Sequence, residues 1–359
     1  MDAWADTRPH PIDVRISDPG EIAASLPSLL GFRPRESIVL VSLTGPSGGR
    51  VGLTVRADIP PAGDAEGIAR LLADRICTDH PRGVLVAVVS EAADDRQGDD
   101  VDLPHRALVW ELVTALAACA VPAPELLLVR KGRWWSYDCP RGCCAPGAGT
   151  RLPGGIPQLE AAAVATGMVV ADDRDDLADR IGRPPGFDRA AMAAACAQAA
   201  ADCSADIVAC GWDATADASW AAINAAVARC RPGRPAARLS DAEIARVLWG
   251  LRDRDVRDRA LELALGPDAL AAEFLWTDCT RRALAPLDAA PATLLAVSAW
   301  LRGDGAMANI ALSRALASEP DYRLARLLAH GLESCLAPGE LRALIRESLT
   351  STGDTGRFG

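Results

Sequence analysis

The hydrophobic positions of this chain change their period part-way along. Before Pro153, short apolar runs are separated by amphipathic helical patterns. Ile12-Asp13-Val14-Arg15-Ile16 alternates apolar with polar, which predicts a half-buried strand. Asp18-Pro19-Gly20-Glu21 opens a helix, with Asp18 as cap and Pro19 at the first helical position, and Gly31 stops it. The β-branched run Ser37–Leu43 predicts an interior strand. The turn Gly45–Gly49 then leads into Arg50–Asp58, an alternating strand that pairs back as a hairpin. A helix is predicted over Asp64–Thr78, a buried strand over Gly83–Ser90, an acidic loop, and a helix over Leu103–Ala120. Glu125–Arg130 and Arg133–Tyr137 read as a second hairpin.

Beyond Pro157 the strand signals nearly vanish, and only Met168–Ala171 reads as a short one. Helical patterns cover 158–167, 173–181, 188–203, 217–231, 240–263, 268–285, 291–302, 305–318, 321–336 and 338–349. Ser240-Asp241-Ala242-Glu243 is a capping box, and Pro232–Arg238 reads as a linker. The expected fold is therefore an α/β N-terminal domain, a mixed sheet sandwiched by helices, over residues 1–155. An all-helical domain over 156–359 follows it. Near 291–336, Leu295, Ala296, Gly303, Ala308, Ala315 and Pro320 fall at the spacing of a tetratricopeptide-like hairpin, although Ala292 and Ala299 stand where that motif has bulky residues. Two ordinary antiparallel helices account for the same spacing.

Three segments together carry a family resemblance: LLGFRPRESIVLVSL at Leu29–Leu43, the Cys139/Cys143-Cys144 segment, and the run from Trp300 to Leu328. The chain resembles an actinobacterial family known as domain of unknown function number forty-one ninety-two. The resemblance implies a cytoplasmic bacterial protein with an N-terminal domain and a helical tail. It implies no reaction and no catalytic residues.

Composition narrows the partners. The net charge is -10, and Lys131 is the only lysine. An acidic chain with no basic stripe lacks the clustered cations that nucleic acid or an anionic membrane requires. No apolar h-region opens the sequence and no apolar run approaches about 20 residues, so neither a secretion signal nor a membrane span is expected. The 11 cysteines are then expected as thiols rather than disulfides. Cys77, Cys119, Cys196, Cys230, Cys279 and Cys335 sit in helical patterns as small buried hydrophobes, and Cys203 and Cys210 bracket an expected turn.

The densest chemistry lies in RWWSYDCPRGCCAPGAGTRLP, Arg133–Pro153. Cys139, Cys143 and Cys144 are candidate ligands for zinc, with His80, His105 or Asp138 available as a fourth; a redox-active or space-filling thiol cluster is the other reading. Arg133, Arg141 and Arg151 would lower a nearby thiol pKa. Alternation puts Trp135 and Tyr137 on one strand face, expected to pack on the first helices of the C-terminal half. The carboxylates Asp94, Asp95, Asp99, Asp100 and Asp102 read as a solvated connector, and Asp172, Asp173, Asp175 and Asp176 as a helix N-terminus. Arg33 and Arg35 are candidate contacts for an anion or partner, weighed against a helix stop at Gly31 with Phe32 packed under the sheet. No Walker A loop, nucleophile elbow or zincin motif is present, and His330 reads as a surface residue.

The expected function is a cytoplasmic, non-enzymatic interaction or regulatory protein with a protein partner or self-association. The alternative is an enzyme, thiol- or metal-dependent, with its site at the sheet edge near the Cys139–Cys144 loop.

Overall fold

The computed structural model describes residues 18–45, 50–97, 100–154, 170–232 and 238–355. The chain divides into two compact units, Met1–Arg174 and Asp175–Gly359. The strand expected at Ile12–Ile16, the helix at 158–167 and most of the linker Pro232–Arg238 lie outside the described residues. Of the short strand expected at Met168–Ala171, only Val170 and Ala171 are described, and Ala171 makes an isolated parallel bridge to Phe32.

The first unit is built on a six-stranded sheet. Its strands are β1 (Ser37–Thr44), β2 (Arg50–Asp58), β3 (Gly83–Val89), β6 (Glu125–Arg130), β7 (Arg133–Ser136) and β8 (Thr150–Arg151), in the order β2-β1-β3-β6-β7-β8. Only β3 and β6 pair in parallel; the other neighbours are antiparallel. Ile38, Val39, Leu40 and Val41 are all fully buried. That explains the unbroken apolar run of β1, because an interior strand covered on both faces needs no alternation.

Helices α2 (Ala65–Cys77) and α3 (Arg106–Ala118) cover one face. Their Leu72, Ile76, Leu108, Leu112 and Leu116 pack with Leu40, Val86 and Leu128 of the sheet. Helix α1 (Pro19–Leu30) lies against β6. The Asp18 carboxylate accepts the Gly20 N–H at 2.8 Å, and Gly31 ends the helix at φ 76°. At Gly20 an added Cβ would fall 2.7 Å from the Trp134 indole nitrogen, so the absence of a side chain permits this contact.

The acidic stretch is more ordered than a connector. It forms a small hairpin, β4 (Asp95–Gln97) with β5 (Asp100–Asp102). Two arginines explain it. Arg130 binds Asp94 at 2.8 Å, both largely buried, and Arg106 forks onto Asp102, with one contact at 2.6 Å. Asp99 lies outside the described residues.

From Arg174 onward the described elements are all helices: α4 (Arg174–Asp179), α5 (Arg189–Arg229), α6 (Asp241–Gly250), α7 (Arg254–Ala260), α8 (Ala269–Arg282), α9 (Ala289–Leu301), α10 (Gly305–Ser318), α11 (Arg323–Glu333) and α12 (Pro338–Thr355). Asp175 and Asp176 fall in the first turn of α4, where negative charge meets the helix dipole. The turn expected between Cys203 and Cys210 is not there. Both cysteines lie inside α5, and the break comes at Gly211, φ 85° and ψ 172°. Alanine-rich sequence carries the helix past Cys210, and only glycine accepts that backbone without strain.

The pattern at 240–263 is likewise two helices, because Asp253 caps α7 by accepting the Asp255 N–H at 2.8 Å. The capping box is formed, with Glu243 accepting the Ser240 N–H at 2.8 Å and Ser240 accepting the Glu243 N–H at 3.3 Å. Arg282 is buried and ties α8 to α6 through Asp241 and the Leu239 carbonyl at 2.7 Å, while Asp278 of its own helix also holds it at 2.9 Å. Helices α9 and α10 pack directly on each other, with Asp304 capping α10 through the Met307 N–H at 2.9 Å.

Candidate thiol site at the sheet edge

The site begins with a two-residue turn. Lys131 and Gly132 both have positive φ, 50° and 69°, the conformation a tight β-hairpin uses, and so β7 folds straight back on β6. Alternation along β7 then sends Trp134 toward Gly20 and Trp135 to the other face. Trp135 and Tyr137 are buried as expected, but the core they join is that of their own sheet, on its α2/α3 side. The hydroxyl of Tyr137 donates to the Pro104 carbonyl at 2.7 Å, and Arg106 donates to the Tyr137 carbonyl at 2.9 Å. Both bonds fix the entry to the cysteine loop against the start of α3.

Trp135 is the seat of that loop. The Arg130 guanidinium stacks on one ring face at 4.9 Å, and the indole N–H donates to Ala145 O at 3.3 Å. Gly149, at φ 72°, passes so close that an added Cβ would fall 2.4 Å from the ring. Between these points Gly142–Cys144 forms a single 3-10 turn. Cys144 is buried, and its sulfur accepts the Ser136 N–H at 3.3 Å. The sulfurs of Cys143 and Cys144 lie 4.0 Å apart, and those of Cys139, Cys143 and Cys144 all lie within 4.8 Å of one another.

This grouping is compatible with metal geometry. Four sulfurs at about 2.3 Å from a tetrahedral ion stand roughly 3.8 Å apart, close to the spacing found. The donor set is all sulfur, which suits a soft or borderline ion. No fourth His, Cys, Asp or Glu joins the three thiols among the described residues. His105, one of the fourth ligands considered, is instead engaged at Ser90.

The thiols differ in acidity. Cys139 is held below the usual thiol range, chiefly because its sulfur accepts the Arg141 backbone N–H, with the neighbouring thiols and the Arg141 charge adding to this. Burial pushes Cys144 up to about 11. Of the three arginines expected to act here, Arg141 does so. Arg133 is spent on the carbonyls of Ala148 and Gly149, at 3.1 and 2.9 Å, and Arg151 lies exposed in β8.

The other cysteines are less uniformly buried than their helical positions suggested. Cys196 and Cys279 are buried, Cys77, Cys230 and Cys335 are intermediate, and Cys119 is exposed. Arg33 and Arg35 are both exposed on the turn after Gly31, where Arg33 pairs with Asp172 at 3.5 Å and Phe32 is buried beneath. His330 is exposed on α11.

One constellation had no signature in the sequence. Beyond the carboxyl end of β3, Ser90 Oγ lies 2.7 Å from Glu36 Oε2 and 3.0 Å from His105 Nε2. Its members are spread along the chain, and two of them, Glu36 (φ 40°) and His105 (φ 62°), have left-handed backbone. The arrangement does not present a nucleophile. Ser90 is 1% exposed, its hydroxyl also accepts the Ala92 N–H at 3.1 Å, and the carboxylate sits on the serine rather than on the imidazole. With donor and both acceptor positions filled, Ser90 closes the strand end.

No helix among the described residues is long and apolar enough to cross a membrane. Residues 19–339 match the model of a family described as a domain of unknown function (DUF4192), and the chain belongs to that family. Comparison with curated proteins and with solved structures found no match.

Proposed function

We propose that this DUF4192 chain is a non-enzymatic interaction or regulatory protein in which Cys139, Cys143 and Cys144 hold a zinc ion that clasps the edge of the sheet. The observation that carries the reading is the gathering of three sulfurs within 4.8 Å of one another on a loop otherwise held by Trp135. Zinc takes thiolates, has no redox chemistry of its own, and couples ligand binding to folding of the segment that supplies the ligands. A fourth ligand would come from water or from a partner. The interaction part of the reading draws support from Leu270 and Phe274, four residues apart on α8 and 49% and 61% exposed. At that spacing they adjoin on one helix face, and paired apolar side chains in water favour contact with another protein.

A second reading, a thiol-dependent enzyme at the same edge, is favoured by the acidity of Cys139. One experiment separates the two. Metal is measured in protein purified without an affinity tag or chelator, alongside the chain with all three cysteines changed to serine. One zinc per parent chain and none in the variant support the clasp. A metal-free parent whose Cys139 is alkylated by iodoacetamide far faster than its other cysteines would overturn it in favour of a reactive thiol.

A further inference from the structure

A second thiol pair lies at the opposite end of the sheet's helical layer. Strand pairing fixes the directions: β2 and β3 are both antiparallel to β1, and β6 is parallel to β3. The crossovers β2–α2–β3 and β3–α3–β6 therefore each return the chain to the same end of the sheet. Helices α2 and α3 run side by side in the same direction and pack on each other. Cys77 is the last residue of α2, and Cys119 is the C-cap of α3. Topology thus brings two cysteines, 42 positions apart by number (119 − 77), to neighbouring helix ends. The two thiols lie near enough that Cys119 adds to the raised pKa of Cys77. Cys119 is exposed, whereas Cys77 is half-buried against the hydrophobic layer beneath the helices.

We infer that Cys77 and Cys119 form a dithiol site for small organic disulfides, closing a disulfide between α2 and α3. The steps balance. The exposed Cys119, as its thiolate, attacks one sulfur of the reagent; the reagent's S–S bond breaks, and one half leaves and takes up the proton that Cys119 gave. Cys77 then gives up its proton and attacks the Cys119 sulfur of the mixed disulfide, expelling the second half as a thiol. Two protein thiols are oxidised to one disulfide, and one organic disulfide is reduced to two thiols. The order follows from exposure. It agrees with the acidity of Cys77, which burial, with Cys119 adding to it, pushes up to about 11, so that Cys77 resolves rather than initiates.

The test uses the full reduced chain under native conditions with bis(2-hydroxyethyl) disulfide, followed by alkylation, tryptic digestion and mass spectrometry. The peptides Ile76–Arg82 and Ala107–Arg130 each hold a single cysteine, so the assignment is unambiguous. The expected product is these two peptides joined, lighter by two hydrogens than the reduced pair. In Cys77→Ser, Cys119 should instead keep the reagent as a stable mixed disulfide. The inference is overturned if Cys119 of the parent chain keeps the adduct while Cys77 is alkylated as a free thiol. Recovery of both as free thiols after prolonged exposure overturns it equally.

Discussion

Three glycines of the cysteine loop form a graded test of how that loop is seated. Gly142 has an ordinary φ, and nothing lies within 4 Å of an added Cβ. Gly147 is left-handed at φ 79° but equally open. Gly149 is left-handed at φ 72°, and its added Cβ would fall 2.4 Å from the Trp135 ring. Alanine at Gly142 should therefore cost little. Alanine at Gly147 should cost about 1–2 kcal/mol for the left-handed backbone alone. At Gly149 the same backbone cost applies, and carbon atoms prefer roughly 3.5–4 Å, so the ring would have to retreat by about 1 Å or more. It has little room to do so. Trp135 is 3% exposed, Arg130 stacks on it at 4.9 Å, and its N–H is held by Ala145 O at 3.3 Å. Overpacking of this kind adds about 1–3 kcal/mol, for a total of roughly 2–5 kcal/mol. Urea unfolding midpoints of the three variants, with protease sensitivity between Pro140 and Leu152, read the series directly. Equal losses for Gly147→Ala and Gly149→Ala would refute the idea that packing on Trp135 seats the loop.

Two further perturbations probe the surroundings. Tyr137→Phe removes the buried hydroxyl that donates to Pro104 O at 2.7 Å, leaves that carbonyl without its partner, and should cost about 1–3 kcal/mol by urea unfolding; a variant as stable as the parent would contradict the bond. Glu243→Gln tests the capping box of α6: the Ser240 N–H and hydroxyl, with Arg229 adding, hold the Glu243 carboxyl below its ordinary range. A lowered carboxyl pKa gives stability that is present above the unfolded value and is lost as pH falls through the folded one. The Gln variant should therefore lose about 0.5 kcal/mol at neutral pH, a small sum because the carboxylate is half-exposed and screened. That gap should close in acid, and a gap that widens in acid would show that the carboxylate does not stabilise the cap.

The sheet was legible in the sequence where burial is two-sided or turn chemistry is strict. Ser37–Leu43 carried its own signal as a continuous β-branched run, and Asp18-Pro19 with Gly31 bracketed α1 within a residue. Alanine blurred the second half. It suits both faces of a helix, so nothing in the pattern of α5 distinguished a break at Gly211 from the turn expected between Cys203 and Cys210. The β4–β5 hairpin was hidden for a different reason. Its acidic residues look like a solvated loop until Arg130 and Arg106, distant in sequence or on the next helix, come to meet Asp94 and Asp102. The thiol cluster was visible from spacing alone, because all three cysteines lie within one loop. That the helix ends carrying Cys77 and Cys119 are neighbours depends on strand order, which local patterns do not encode.

If Cys139, Cys143 and Cys144 act as one ligand set, the three should take up a single metal ion together. The most direct test is cobalt(II) titration of the reduced, metal-free chain, followed by absorption spectroscopy, because cobalt reports both thiolate count and geometry. One equivalent should bind, with an intense near-ultraviolet thiolate-to-metal band of the strength expected for three sulfurs and visible bands of tetrahedral form. Both should be bleached by one equivalent of zinc and absent from the chain in which the three cysteines are serine. A weak, non-saturating spectrum, or one that survives in the serine variant, would contradict a shared site.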